Sequence, residues 1–184
     1  MDASHVMSLP HLITEAALPP ALTPRWFALW TRSRHERVVF DQLTDRGIEA
    51  FLPTTPRWSR WKDRSKKIEF PLFPGYCFAR FAPASRLPVL KCAGVVSVVS
   101  FDGELAPVPD EAIEGIRTLL NSALPCDPCP LLNPGMKVEM VHGPLKGLTG
   151  YLERKGAHAR LVLSLDLIGR GVSVQVDAAD VRAL

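Results

Sequence analysis

No stretch of this chain approaches the roughly 20 consecutive apolar residues that cross a bilayer, and its amino terminus lacks a cationic start followed by an apolar run. These absences predict a cytoplasmic protein. Cysteine is scarce as well: Cys77, Cys92, Cys126 and Cys129 stand at irregular spacing, which is no disulfide framework for a chain of 184 residues. They read as free thiols. Cys126-Asp127-Pro128-Cys129 forms a C-x-x-C, yet a zinc site needs about four ligands and neither a second C-x-x-C nor a His pair supplies the rest, so no metal is expected. Catalytic patterns are missing too. Residues 143–150 lack the Lys-Ser/Thr that a P-loop requires after its second glycine, and there is no H-E-x-x-H or paired-carboxylate arrangement. The five histidines are scattered without acidic or cysteine partners. The chain therefore reads as a non-enzyme without a cofactor.

A strong excess of charge is also lacking, since the formal net charge is only +3. What charge there is lies unevenly. Between Arg57 and Lys67 the cations Arg57, Arg60, Lys62, Arg64, Lys66 and Lys67 face the single anion Asp63, so this segment alone exceeds the balance of the whole protein. With 47% hydrophobic residues the chain can build one large core or two small ones, and the pattern along it favours two.

Residues 1–24 carry Pro10, Pro19, Pro20 and Pro24 without a sustained period and read as a flexible leader. A first domain is expected over residues 25–122. The run Trp26-Phe27-Ala28-Leu29-Trp30-Thr31 reads as a buried strand, and Ser33-Arg34-His35-Glu36 as an S-x-x-E capping box opening a helix with Val39, Phe40 and Leu43 on its apolar face. Gly47 is expected to end that helix in a left-handed cap before a strand at residues 48–53. Residues 54–70 predict a protruding hairpin turning at Asp63-Arg64-Ser65, with Trp58 and Trp61 among its cations. Ser85 is read as the cap of a short helix, residues 95–101 as a strand, Asp102-Gly103 as a turn, and Asp110 as the start of a helix with Ile113, Ile116 and Leu120 on one face.

Pro125, Pro128, Pro130 and Pro134 then forbid a continuous helix or central strand, which marks a linker over residues 123–133. From residue 134 the period becomes two, in Met136, Val138 and Met140, then Leu161, Leu163 and Leu165, then Val172, Val174 and Val176. That pattern predicts a small antiparallel barrel over residues 134–184. The fold class is α+β: an α/β sandwich joined by a proline-rich linker to an all-β barrel.

Three blocks carry a more specific signal: Trp26-Phe27-Ala28-Leu29-Trp30, then Phe70-Pro71-Leu72-Phe73-Pro74-Gly75-Tyr76, then Gly135 to Pro144 with Gly147 and Gly150. In order and spacing they resemble the NusG family of transcription elongation factors, which pairs an NGN domain with a KOW barrel. Thr31-Arg32-Ser33-Arg34-His35-Glu36, Pro107-Val108-Pro109-Asp110 and Gly143-Pro144-Leu145-Lys146-Gly147 resemble the specialised, operon-targeted antiterminators similar to RfaH and UpxY. A housekeeping NusG acting genome-wide with Rho, or a ribosome-associated RNA-binding KOW protein, are the alternative readings.

The resemblance implies that an apolar patch binds the clamp helices of the largest subunit of bacterial RNA polymerase, with Trp30, Phe73 and Tyr76 at the matching positions. Phe73 and Tyr76 flank a Pro-Gly bend expected to lift them outward, whereas Trp26 and Phe27 suit core and contact equally. Arg32 and Arg34 match a surface that in specialised paralogs touches non-template DNA. Arg60, Lys62, Arg64, Lys66 and Lys67 are candidates for phosphate contact with upstream DNA. Ile168 matches the KOW loop residue that recruits Rho or the ribosomal protein NusE. Residues 85–89 fall where relatives reach the opposite pincer, but Leu87-Pro88-Val89 replaces the polar string found in RfaH. The β-branched, glycine-punctuated barrel sequence favours strands over the helical hairpin that RfaH can adopt. A monomer is expected.

Overall fold

Strand β1 (Arg25–Thr31) runs through the middle of the first sheet because both its faces are apolar: Trp26 and Ala28 point one way, Phe27 and Leu29 the other, and all four are buried. The structure, a computed structural model, describes residues 19–61, 64–130, 135–155 and 158–184. After β1 come α1 (Glu36–Asp45), β2 (Glu49–Phe51), β3 (Thr54–Trp61), β4 (Arg64–Pro71) and β5 (Tyr76–Phe81). Next follow α2 (Leu87–Leu90), β6 (Val95–Val98), β7 (Ser100–Phe101), β8 (Glu104–Leu105), β9 (Pro107–Val108) and α3 (Asp110–Asn121). The sheet is antiparallel in the order β2-β5-β1-β6, with β9 also pairing to β1.

The two faces of this sheet receive different partners. Phe27, Leu29, Cys77, Ala79 and Phe81 share a core with Val39 and Leu43 of α1 and Val89 of α2. On the opposite face Trp26, Ala28 and Phe78 meet Ile113, Ile116 and Leu119 of α3. Arg117 fastens α3 from the edge: its guanidinium lies 5.4 Å from the Trp26 ring centroid and 5.2 Å from that of Phe51, and it pairs with Glu49 at 3.5 Å.

The entry to α1 departs from the expected capping box. Arg34 adopts a left-handed φ of 62°, so the helix begins after it, and His35 takes the cap position without a side-chain cap bond. Ser33 is thereby left outside the first turn. The exit follows the expectation, with Gly47 at φ 69° donating to Thr44 O and the Ile48 N–H donating to Leu43 O at 3.0 Å. Ser85 does not cap α2 either: it closes a 3-10 turn (Pro83–Ser85), and α2 starts two residues later behind Arg86. Asp102 and Gly103 both take positive φ in the tight turn joining β7 and β8. Strands β3 and β4 form a separate two-stranded hairpin in register from Thr54↔Pro71 to Trp61↔Arg64.

The second sheet consists of β10 (Cys126–Pro130), β11 (Met136–Met140), β12 (Thr149–Lys155), β13 (His158–Leu165), β14 (Arg170–Val176) and β15 (Val181–Ala183). Its order is β10-β14-β13-β12-β11-β15. Val138, Met140, Leu161, Leu165, Val172 and Val174 fill its interior, as a period of two requires. The proline-rich segment is thus more than a tether, since Cys126–Pro130 is an edge strand paired with β14. Prolines are tolerated there because an edge strand needs donors on one side only. Asp127 in that strand pairs with Arg57 of the hairpin at 3.1 Å and with Arg160 of the barrel at 3.9 Å. Helix α3 meets the barrel closely, for a Cβ on Gly115 would lie 3.2 Å from Leu148 Cδ1. Among the described residues no helix is long and apolar enough to cross a membrane.

Candidate functional site

Trp26, Ala28 and Trp30 alternate onto one face of β1, and α3 covers only the first two of them. Trp30 remains 52% exposed. Its cross-strand partners are Tyr76 on β5 and Ser97 on β6, so the indole and the half-buried phenol stand side by side at one end of the sheet. A large indole left exposed beside a phenol is the kind of surface that makes a small interface adhesive.

Phe73 corrects the expectation of an outward pair. It is only 1% exposed, and its ring meets Phe78 edge-to-face at 5.5 Å between centroids. The bend closes on itself, Tyr76 N–H donating to Phe73 O at 3.0 Å, and Gly75 at φ 86° lets the chain turn without lifting Phe73 off the sheet. Burying such a ring is favoured by roughly 1.5–3 kcal/mol over exposing it. Phe73 is therefore a core residue and not part of the exposed surface. Trp26 and Phe27, which suited either role, are core residues at 2% and 1% exposure.

The cations nearest this surface follow directly from β1. Arg32 and Arg34 are exposed, and their loop is held by backbone bonds on both flanks: Thr31 N–H donates to Gly75 O at 2.9 Å and Arg32 N–H to Gly94 O at 2.8 Å. Gly94 has to be glycine, because a Cβ there would sit 2.8 Å from His35 Cβ and its φ is 103°. Glu36 was hidden in the sequence by its resemblance to a capping box. It is 7% exposed, and its Oε1 accepts from Gly75 N–H at 2.7 Å instead of serving its own helix.

Of the hairpin cations, Lys62 lies outside the described residues, as do the side chains of Arg60, Arg64, Lys66 and Lys67. The strands that carry the latter four pair as Arg60↔Ser65, Trp61↔Arg64, Ser59↔Lys66 and Trp58↔Lys67. Arg57 at the hairpin's base is committed to structure, stacked 4.8 Å over Phe70 and paired with Asp127. Ile168, expected as an apolar loop tip, ends a 3-10 turn before Gly169 and is half-buried against the barrel core.

The thiols face chemistry-poor surroundings. Burial pushes Cys77 up to about 12 from an ordinary 9.0, and burial also raises Cys92 and Cys126 against the opposing pull of Arg46 and Thr55 respectively. Cys126 and Cys129, three apart on one strand, point to opposite faces of the sheet and cannot chelate one ion together. Among the described residues no cluster of His, Cys, Asp and Glu has the grouping of a metal site.

Comparison with known proteins adds three findings. The family model described as transcription termination factor nusG matches residues 24–117. No curated protein sequence matches. Among solved structures, that described as "Domain interaction in Thermotoga maritima NusG" is similar at a TM-score of 0.55 and 19% identity, covering 89% of this chain and 99% of that one. The MjSpt4:Spt5 complex in conformation A is matched at 15% identity over 86% of this chain and 97% of the other, with a TM-score of 0.25. The matched residues span β1 through most of α3, more than half of the chain and all of the sheet that bears Trp30 and Tyr76, and on that ground the chain belongs to the NusG family of non-enzymatic transcription elongation factors.

Proposed function

We propose that this protein binds the clamp helices of an elongating bacterial RNA polymerase through Trp30 and Tyr76, holds the clamp closed, and suppresses pausing and termination at particular operons. The observation that carries the reading is the exposed Trp30 beside Tyr76, with Arg32 and Arg34 immediately after it on one connected edge. Aromatic rings supply affinity for a helical partner, while the exposed arginines beside them offer charge to the phosphates of non-template DNA. A ligand that binds the closed, active polymerase more tightly than the opened, paused one shifts the population by its differential binding energy, and no bond need be made or broken. The barrel recruits NusE or Rho near Ile168.

Changing Trp30→Ala together with Tyr76→Ala is expected to weaken binding to bacterial core polymerase at least about 100-fold, as loss of two hot-spot aromatics does. Undiminished binding by the folded double variant would refute the assignment. A second reading is favoured by the description of the matched family model as a termination factor: a housekeeping member supporting Rho-dependent termination. Deleting the gene distinguishes the two, because the first gives transcript changes confined to a few operons and the second gives changes across the genome.

A further inference from the structure

Gly75 is used at both ends by different elements. Its carbonyl accepts from Thr31 N–H, the last residue of β1, and its N–H donates to the Glu36 carboxylate at the start of α1. Between those two anchors lies the loop of residues 32–35, whose other flank is stitched to Gly94 through Arg32 N–H and wedged by His35 against the position a Gly94 Cβ would need. The loop therefore has its ends tied to one residue of the turn that precedes Tyr76. Its internal shape is tight as well, with Arg34 at a left-handed φ of 62°, His35 N–H donating to Arg32 O at 3.0 Å and His35 Nδ1 2.9 Å from Ser33 O.

A buried carboxylate is costly to desolvate, and a helix of this kind is ordinarily opened by a short polar side chain. Glu36 instead spends its acceptor on a turn 39 positions away, at 7% exposure. Thr31, 3% exposed with its Oγ1 lacking a partner, abuts the same turn, so the corner tolerates an unsatisfied hydroxyl while keeping the Glu36 bond. A site that accepts both costs is holding a geometry.

We propose that Glu36 is a positioning residue that locks the Arg32–Arg34 loop and the Gly75–Tyr76 turn into one rigid unit, so that nucleic-acid contact and polymerase docking depend on the same carboxylate. The proposal rests on the functional reading of these two surfaces as nucleic-acid and polymerase sites. Glu36 itself touches neither partner. It sets the spacing between the rings and the guanidinium groups, and rigid spacing lowers the ordering cost of engaging both partners together.

The test uses the full chain with Glu36→Ala, Glu36→Asp and Glu36→Gln, reading backbone amide spectra and hydrogen exchange, affinity for bacterial core polymerase, and affinity for a single-stranded oligonucleotide. In Glu36→Ala the Gly75 amide is expected to exchange at least about tenfold faster, and both affinities to fall by about tenfold, the worth of one charge-assisted hydrogen bond. Glu36→Gln retains an acceptor at the same reach and is expected to restore both arms to within about threefold. Glu36→Asp withdraws the carboxylate by one methylene and is expected to fall between, with the two arms weakening in equal proportion; it decides the matter should the alanine variant not fold. Weakening in one arm only, or in neither, overturns the proposal. Should the wild-type chain bind neither partner, the functional reading fails by itself, and the spectra then decide: joint displacement of the amides of residues 31–35 and 75–76 upholds the coupling, whereas a change confined to Gly75 overturns it.

Discussion

At the scale of single residues, burial governs which side chains act and which only fill space. Cys77 is the sharpest case. Its thiol is fully buried between the sheet and α1, and desolvation holds it protonated up to about 12 where an ordinary thiol ionises near 9.0. An acid whose folded value is raised contributes stability that is complete below the unfolded value and is lost as pH climbs towards the folded one. Denaturant midpoints should therefore hold steady up to about pH 9 and decline between about 9 and 12, and Cys77→Ala should flatten that decline relative to its own midpoint at neutral pH. An unchanged alkaline slope in the variant would assign the decline elsewhere. Phe73 obeys the same rule. Its neighbours in sequence suggested a ring lifted by a Pro-Gly bend, but a one-dimensional pattern does not say on which side of a turn a side chain falls, and Phe78 offered it a dry partner.

At the scale of elements, the strands were far more legible than the helix starts. A run of large apolar residues marked β1, a charged segment folded about a turn marked the hairpin, and a period of two marked the barrel strands, where it has one physical meaning once turns bound it. Helix entries depend instead on local competition for a few donors, and at Ser33 and Ser85 the backbone took another route: a left-handed Arg34 in one case and a 3-10 turn in the other. Glu36, read as the last member of a capping box, was given the wrong partner for that reason, its true one lying across the fold where no spacing rule reaches. The proline-rich segment was legible only in what it forbade, and pairing with β14 turned an exclusion into an edge strand. The hairpin, β3 with β4, carries its own expectation. Neutralising Arg60, Lys62, Arg64, Lys66 and Lys67 should flatten the plot of log affinity against log salt for nucleic-acid binding, by about 0.7 to 0.9 for each phosphate no longer neutralised by a side chain. A slope that stays the same would mean that the hairpin touches no phosphate.

At the scale of the whole molecule, the two sheets are joined by one continuous apolar core that passes from Trp26 and Phe78 through α3 to the barrel's Leu161 and Val174. The sequence announced two modules but not their junction, since the residues making it are ordinary core types within each module. Gly115 sits there, with Leu148 and Leu163 reaching towards it. Gly115→Val places branched carbons where 3.2 Å is available to the first of them, so the barrel should be pushed off α3. Small-angle scattering would register this as a larger radius of gyration than wild type, and an unaltered radius would mean that the Leu148 side chain turns aside and the seam absorbs the added carbons.

The two prolines of β10 bear on how this protein behaves in a crowded solution. A strand that keeps its ladder to β14 while carrying Pro128 and Pro130 turns their nitrogens towards the open side, where an incoming chain would look for donors. That rim offers a stranger little to grip, so this edge of the barrel is shielded against being stitched to another chain's edge in a growing fibre.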